Sequence, residues 1–527
     1  MGQAWHNTGV NTIFSSFRNS LASEALLPGL IGALGLFFGM ANPVFHLPLL
    51  ALLFPASLQW LGQTASGRRQ AFVRGWLTGM AGAAACLYWI AVPVIQVVGQ
   101  HLLIGAGCAL AVGCYVGLYG GLFGLLAYRA RVFGLRRAAL AWALGWFLLE
   151  VLRGWLFTGF PWLPLAAAFV PWTAWIQPAS WIGAYALGGL LAAFACLIAH
   201  SLCARQFRTA GIGLLLLAMI PISGNLRLVD FEPGGKELRV ALAQGNIDQN
   251  QKWDQRYQDM TLALYAALSR GTGAALVVWP ETSVPLDYPR HELSNLLRRY
   301  ASENNIWLLF GAPGSEGRPG KETLFNRAWL VSPLGRNKGM YEKEHLVPFG
   351  EYVPPFVNLP FLQGLLQGIG DFTPGTRTAP LLLDPTDGRV AERLALGILI
   401  CYETTFPELS RQRVAAGAQI LLNISNDAWF GRSSAAEQHL HLSALRAVEQ
   451  QRWLVRGTNT GISALVDPAG RIVQQSGLFT REIVKGSVYA IDKTTMFFQI
   501  FPWLIPAGAA IFIPVLLFPR RKHPKKS

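Results

Sequence analysis

Residues 394–408 read LALGILICYETTFPE. The apolar run Leu394–Ile400 has strand length, and a Cys, a Tyr and a Glu follow it directly. A buried strand that turns sharply into a helix lifts the residue at the turn to the open end of its sheet. That residue is Cys401. A thiol held there suits covalent catalysis once a neighbour takes its proton or stabilises the thiolate. Most buried cysteines are inert packing, so the reading depends on distant partners.

Outward from this strand the composition changes twice. The chain of 527 residues is 52% hydrophobic with a mean hydropathy of +0.33, which points to a membrane protein carrying a soluble part. Its net charge of +15 is unevenly placed. Between Arg227 and Lys493 there are 28 basic and 27 acidic residues, leaving 16 basic and 2 acidic outside that window. The excess therefore belongs to the apolar part, where it reports orientation and not nucleic-acid binding.

Apolar stretches predict eight spans, near 26–41, 44–62, 71–98, 102–128, 138–158, 178–200, 209–225 and 498–518. Arg68, Arg69, Arg74, Arg129, Arg131, Arg136, Arg137, Arg205 and Arg208 fall in alternate loops, and a basic tail follows the last span. The loops between, near Asn42, near Gln100 and across 159–177, carry no Lys or Arg. The positive-inside rule then puts both termini in the cytoplasm and 226–497 on the far side of the membrane. The predicted domains are a seven-span bundle over 1–225, an exported α/β domain over 226–497, and a last span with its tail over 498–527. The first span reads as a retained anchor, since no small-residue cleavage site follows it. Cys401 is the sole cysteine of the exported part, where an idle thiol is a liability.

Strands are predicted at 238–244, 275–279, 306–311, 325–331, 394–400, 419–424 and 461–466, alternating with helices at 254–270, 290–304, 404–416 and 433–451. This is the pattern of sheets covered by helices. The charge-free segment 352–370 reads either as a buried loop with a helix or as a flap against the bilayer.

Three separated segments carry ionisable groups to strand ends: WPETSVP with Glu281, YEKEHLVPFGEYVPP with Lys343 and Glu351, and ICYE with Cys401. A carboxylate can take and return the thiol proton. An ammonium can stabilise the thiolate and then an oxyanion. Glu281, Lys343 and Cys401, in this order and context, resemble the nitrilase (carbon–nitrogen hydrolase) superfamily. With its flanking spans the whole chain resembles the bacterial apolipoprotein N-acyltransferase family, through WPET, HLVPFGE, ICYE, NISNDAWFG (423–431) and RGWLFTGFPW (153–162).

The resemblance implies an α-β-β-α sandwich joined to a helical membrane domain in the bacterial inner membrane. It implies an N-acyltransferase that takes a fatty acyl chain from a phospholipid, phosphatidylethanolamine being the expected donor. The chain would rest on Cys401 as a thioester and then pass to the α-amine of the N-terminal diacylglyceryl-cysteine of an apolipoprotein. Glu281, Lys343 and Cys401 match the catalytic set, Glu351 a supporting carboxylate, Tyr402 and Glu403 the flanks of the nucleophile, and Trp253 a substrate-entrance tryptophan. A membrane-anchored amidase acting on small carbon–nitrogen substrates would use the same triad.

Several features exclude other chemistry. No phosphate-binding Gly-rich loop or dinucleotide fingerprint occurs, so neither nucleotide nor other cofactor is expected. His439 and His441 stand two apart on a predicted helix and face apart, a poor metal pair. Glu150 and Arg153, three apart at a span end, suit an intrahelical pair.

Overall fold

Long apolar helices dominate the chain up to Val229, and the computed structural model describes residues 23–96, 98–229, 234–248, 255–318, 321–353 and 371–517. Among the described residues five helices are long and apolar enough to cross a bilayer: Leu102–Ala130, Leu135–Thr158, Ala179–Cys203, Phe207–Val229 and Met496–Leu517. A sixth crossing forms if Arg68–Cys86 and Tyr88–Gln96, bent by 61° at their junction, count as one. The chain is thus a multi-pass membrane protein.

The first two of the eight predicted spans match shorter helices. Ser23–Gly39 has 17 residues, and the second stretch splits into Pro48–Leu52 and Leu53–Gln63. Leu53–Gln63 by itself, at about 1.5 Å per residue, is shorter than a hydrocarbon core of about 30 Å. Pro48 opens the 3-10 turn, and Leu52 and Leu53 keep helical dihedrals where it passes into Leu53–Gln63.

Among the described residues twelve strands form two six-stranded sheets. The first runs in the order β12 (Glu482–Ala490), β1 (Lys236–Gln244), β2 (Leu276–Val278), β3 (Trp307–Arg318), β4 (Lys321–Val331), β5 (Asn337–Glu342). The second runs β11 (Ile472–Gln475), β10 (Ala464–Val466), β9 (Leu454–Thr458), β8 (Ile420–Ser425), β7 (Leu394–Ile400), β6 (Leu381–Leu383). Parallel pairing joins β1–β2–β3 and β7–β8–β9.

The period-two pleat sorts the side chains. Leu238, Val240 and Leu242 of β1 meet Leu396, Ile398 and Ile400 of β7 in a core between the sheets. Ala241 and Ala243 turn outward beneath the helices Gln255–Ser269 and Ser294–Glu303, with Tyr265 and Leu297 in that layer. On the other side Leu399 and Leu421 pack under the helices Pro407–Ala415 and Ala435–Gln450. The same apolar cluster continues without a break into Trp162, Phe169 and Leu187 of the membrane part. One core therefore runs from the second sheet into the bundle.

Candidate active site

The site lies where the ends of β2, β5 and β7 converge. The sequence after β7 behaves as its pattern predicts: Cys401 opens a short 3-10 turn, Cys401–Thr405, and carries a positive φ of 52°. A left-handed non-glycine residue is held only where its surroundings over-determine it, and such strain gathers at functional sites. Thr282, directly after Glu281, has a φ of 50°. The segment 280–282 lies flat on β3 because Gly311 has no side chain. A Cβ there would stand 2.5 Å from the Thr282 nitrogen and 2.7 Å from the Glu281 Cα.

Lys343 is the electrostatic centre. Its side chain is 1% exposed, so its charge must be paired. Nζ stands 2.8 Å from Glu351 Oε2 and 3.5 Å from Glu281 Oε1. Asn326 on β4 ties the two carboxylates together, donating from Nδ2 to Glu281 Oε1 at 2.7 Å and to Glu351 Oε1 at 2.9 Å. Burial alone would lower the Lys343 ammonium, but Glu351 and Glu281 outweigh it and raise the group above its ordinary value. The lysine is a fixed cation.

Burial, reinforced by the Glu281 carboxylate, pushes the Cys401 thiol up to about 12, with Lys343 pulling the other way. The resting group is a thiol and not a preformed thiolate. Glu281 is a carboxylate within electrostatic reach of the sulfur.

Tyr402 and Glu403 turn away from this chemistry. Glu403 is fully buried and staples the turn to the loop after β5: Oε1 accepts from Tyr341 OH at 2.8 Å, Glu344 N at 2.7 Å and His345 N at 3.0 Å, and Oε2 accepts from Ile400 N at 2.6 Å. Tyr402 points to the membrane part, donating from its hydroxyl to Gly159 O at 3.0 Å. Trp253 and residues 354–370 of the predicted flap lie outside the described residues.

A second network was not legible in the sequence. His439 Nε2 stands 3.2 Å from the Cys401 carbonyl oxygen, and its Nδ1 stands 3.2 Å from Asp427 Oδ1. Arg456 Nη2 donates to Asp427 Oδ2 at 2.7 Å. Burial alone would raise the Asp427 carboxyl, yet Arg456 and His439 hold it below the usual carboxylate range. The available signal was an arginine interrupting the apolar strand at 454–458. Its partner Asp427 lies within the string NISNDAWFG.

Glu150 and Arg153 do not close the predicted intrahelical pair. Glu150 Oε1 accepts from Trp146 Nε1 and Leu165 N, both at 2.8 Å, and Arg153 Nη2 donates to Leu163 O at 3.1 Å. Both bind the 163–165 segment because its backbone groups would otherwise be buried unpaired. Among the described residues, His46, Glu437 and His441 bring possible metal-ligand atoms within 4.8 Å of one another. Zinc bonds of about 2.0–2.1 Å would require that set to contract, and the His46 Nε2 already faces Gly39 O at 2.9 Å.

Comparison with known proteins gives this arrangement a family. The carbon–nitrogen hydrolase family matches residues 239–492, and the apolipoprotein N-acyltransferase N-terminal domain matches residues 34–197. An apolipoprotein N-acyltransferase from Geobacter metallireducens is 37% identical over 501 residues, covering 90% of this chain and 94% of that protein. The chain belongs to the apolipoprotein N-acyltransferase family. Another member, from Azotobacter vinelandii, is 34% identical over 529 residues and covers 95% of each chain. An amidase of the nitrilase superfamily from Nesterenkonia aligns with 51% of this chain and 95% of its own at 22% identity, with a TM-score of 0.37. In this family member the hydrolase-like sandwich and the helical bundle share one apolar core, so the catalytic unit is built onto the membrane part.

Proposed function

We propose that this enzyme moves a fatty acyl chain from a membrane phospholipid to the α-amine of an N-terminal diacylglyceryl-cysteine by way of a Cys401 thioester. Glu281 takes the thiol proton as sulfur attacks the ester carbonyl carbon. Lys343, held by Glu351, carries the charge of the tetrahedral oxyanion. The intermediate collapses, the C–O bond breaks, and Glu281 returns the proton to the departing lysophospholipid. In the second half the amine attacks the thioester carbonyl, gives its proton to Glu281, and the restored thiol leaves. One base thus serves both halves of a ping-pong cycle.

The observation that carries this reading is the Glu281–Lys343–Glu351 array facing a thiol whose turn is bonded through Tyr402 to Gly159 of the membrane part. Both expected substrates are bilayer-anchored, so a site fused to the bundle raises their effective concentration without additional contacts. Exclusion of water would protect the thioester from hydrolysis.

The topology belongs to the same proposal. Arg131 donates to Ala65 O at 3.1 Å and Arg137 to Val515 O at 2.7 Å, gathering basic residues and helix C-termini on one face. We place that face in the cytoplasm and 226–497 in the periplasm of the inner membrane, with the two short N-terminal helices completing an eight-helix bundle. The test supplies detergent-solubilised full-length enzyme with phosphatidylethanolamine labelled in its acyl chains and a diacylated lipopeptide. Labelled triacylated peptide is expected from the wild type and none from Cys401→Ala. Release of free fatty acid with no peptide product would favour an amidase-like hydrolase and refute the transferase.

A further inference from the structure

Gln438 precedes His439 on the helix Ala435–Gln450, and its side chain reaches into the membrane bundle. It is 5% exposed, and its amide is saturated. Oε1 accepts from two indoles, Trp162 Nε1 at 2.8 Å and Trp89 Nε1 at 3.1 Å. Nε2 donates to Ala41 O at 2.9 Å and to Cys86 O at 3.1 Å, with Ser434 Oγ on its own helix a third acceptor at 3.2 Å. A primary amide offers two donors and one oxygen with two lone pairs, so every capacity is used. The orientation is unambiguous, because a flipped amide would set N–H against N–H and oxygen against oxygen.

The partners give these bonds their meaning. Cys86 ends the helix Arg68–Cys86 at the 61° bend, and Ala41 follows the end of Ser23–Gly39. Carbonyls at helix ends lack intrahelical partners and need one from elsewhere. Trp89 sits in the turn just beyond the bend and meets Phe430 of the catalytic part edge to face at 4.8 Å. Trp162 lies 5.6 Å from the His439 ring and 6.2 Å from Tyr402. One amide thus joins the ends of two membrane helices and two tryptophans to the helix whose next residue touches the Cys401 carbonyl.

We propose that Gln438 is a positioning residue that fixes the bent membrane helix against the nucleophile turn, so that acyl loading of Cys401 from a bilayer lipid depends on its amide while the inherent reactivity of the thiol does not. The inference rests on the transfer reaction proposed above and adds a determinant of donor placement. His439 supplies the contrast, since it holds the nucleophile's own carbonyl.

The test uses full-length enzyme in nanodiscs and two readouts on each variant: alkylation of Cys401 by iodoacetamide, and acyl-Cys401 formation from phosphatidylethanolamine followed by intact mass. Gln438→Glu preserves shape but replaces the N–H donors that serve Ala41 and Cys86. It is expected to slow acyl loading about tenfold or more while leaving alkylation within about twofold of wild type. His439→Ala is expected to slow both. If Gln438→Glu does not fold, Trp89→Phe removes one indole donor and is expected to show the same split at about threefold. Acyl loading at the wild-type rate in the variant, or an equal fall in both readouts, overturns the inference. Failure of the wild type itself to load would instead refute the transfer reaction.

Discussion

The two halves of the sandwich have similar architecture and different surroundings. Each sheet has six strands with a parallel centre and helices on its outer face. On the first sheet the helix Ser294–Glu303 buries only Ser294, Leu297 and Ala301. On the second, the helix Ala435–Gln450 buries every residue except Glu437, because membrane helices cover the side the sheet does not. The chemistry divides along the same line. The first sheet supplies Glu281, Asn326 and Lys343, while the second supplies Cys401 and the Asp427–His439–Arg456 support. In the proposed mechanism the nucleophile is therefore mounted on the half fused to the bilayer part, and the proton-handling groups arrive from the other half.

This division can be broken first at the chemistry. Glu281→Gln keeps the Asn326 contact but removes the base, and acyl transfer is expected to fall about 10²–10⁴-fold. The same change takes away a carboxylate that raises the Cys401 thiol, so alkylation at pH 8 is expected not to slow. Rates of transfer and of alkylation, measured on one preparation, check both statements. Parallel losses would mean that Glu281 only supports the fold.

Next comes a matched pair of carboxylates, one in each half. Asp427→Asn leaves the Arg456 guanidinium buried without its counter-charge and is expected to cost about 3–5 kcal/mol. Asp287, near the surface of the first half, accepts from Ser315 N at 2.9 Å and from Ser315 Oγ at 2.6 Å. Its replacement, Asp287→Asn, weakens those two bonds without stranding a buried charge and is expected to cost about 1 kcal/mol. Melting temperatures of the two variants give the comparison, and equal shifts would deny the asymmetry.

The pH profile sharpens the account of the nucleophile. An unperturbed thiol levels off in alkylation rate near pH 9, because it is by then largely thiolate. With Cys401 pushed up to about 12, its thiolate fraction keeps growing as pH rises. Its rate is expected to climb without a plateau from about pH 7 to 10. A plateau below about pH 8 would indicate a preformed thiolate.

The smallest effect is expected at the seam. Tyr402→Phe deletes the bond to Gly159 O and leaves the ring against Trp162, costing about 1 kcal/mol and slowing acyl loading a few-fold. A loss as large as that of Glu281→Gln would give the hydroxyl a chemical role.

Much of this was legible in the sequence. The most continuous apolar runs give strand bounds to within a residue, since 394–400 is β7 and 419–424 is β8 shifted by one, whereas 306–311 and 325–331 cover only the apolar parts of the longer β3 and β4. β9 was missed because Arg456 breaks its run, and that charge is tolerated only because Asp427 pairs with it. β5, reading NKGMYE, offers only Met340 and Tyr341 to the apolar layers, too few to mark a strand, and is held by pairing with β4. Glu281, Lys343 and Glu351 do come together, as their strand-end positions suggested. The roles of Asn326, His439 and Gln438 depend on contacts between residues far apart in the chain, which local pattern does not encode.

The most direct measurement of the central claim is a single-turnover chase. Full-length enzyme is charged with labelled phosphatidylethanolamine, freed of donor, and given either buffer or a diacylated lipopeptide. Label is expected on the peptide containing Cys401, to be released by hydroxylamine, and to pass to the lipopeptide amine far faster than to water. Label on any other residue, or discharge at the same rate with and without the lipopeptide, would contradict the account.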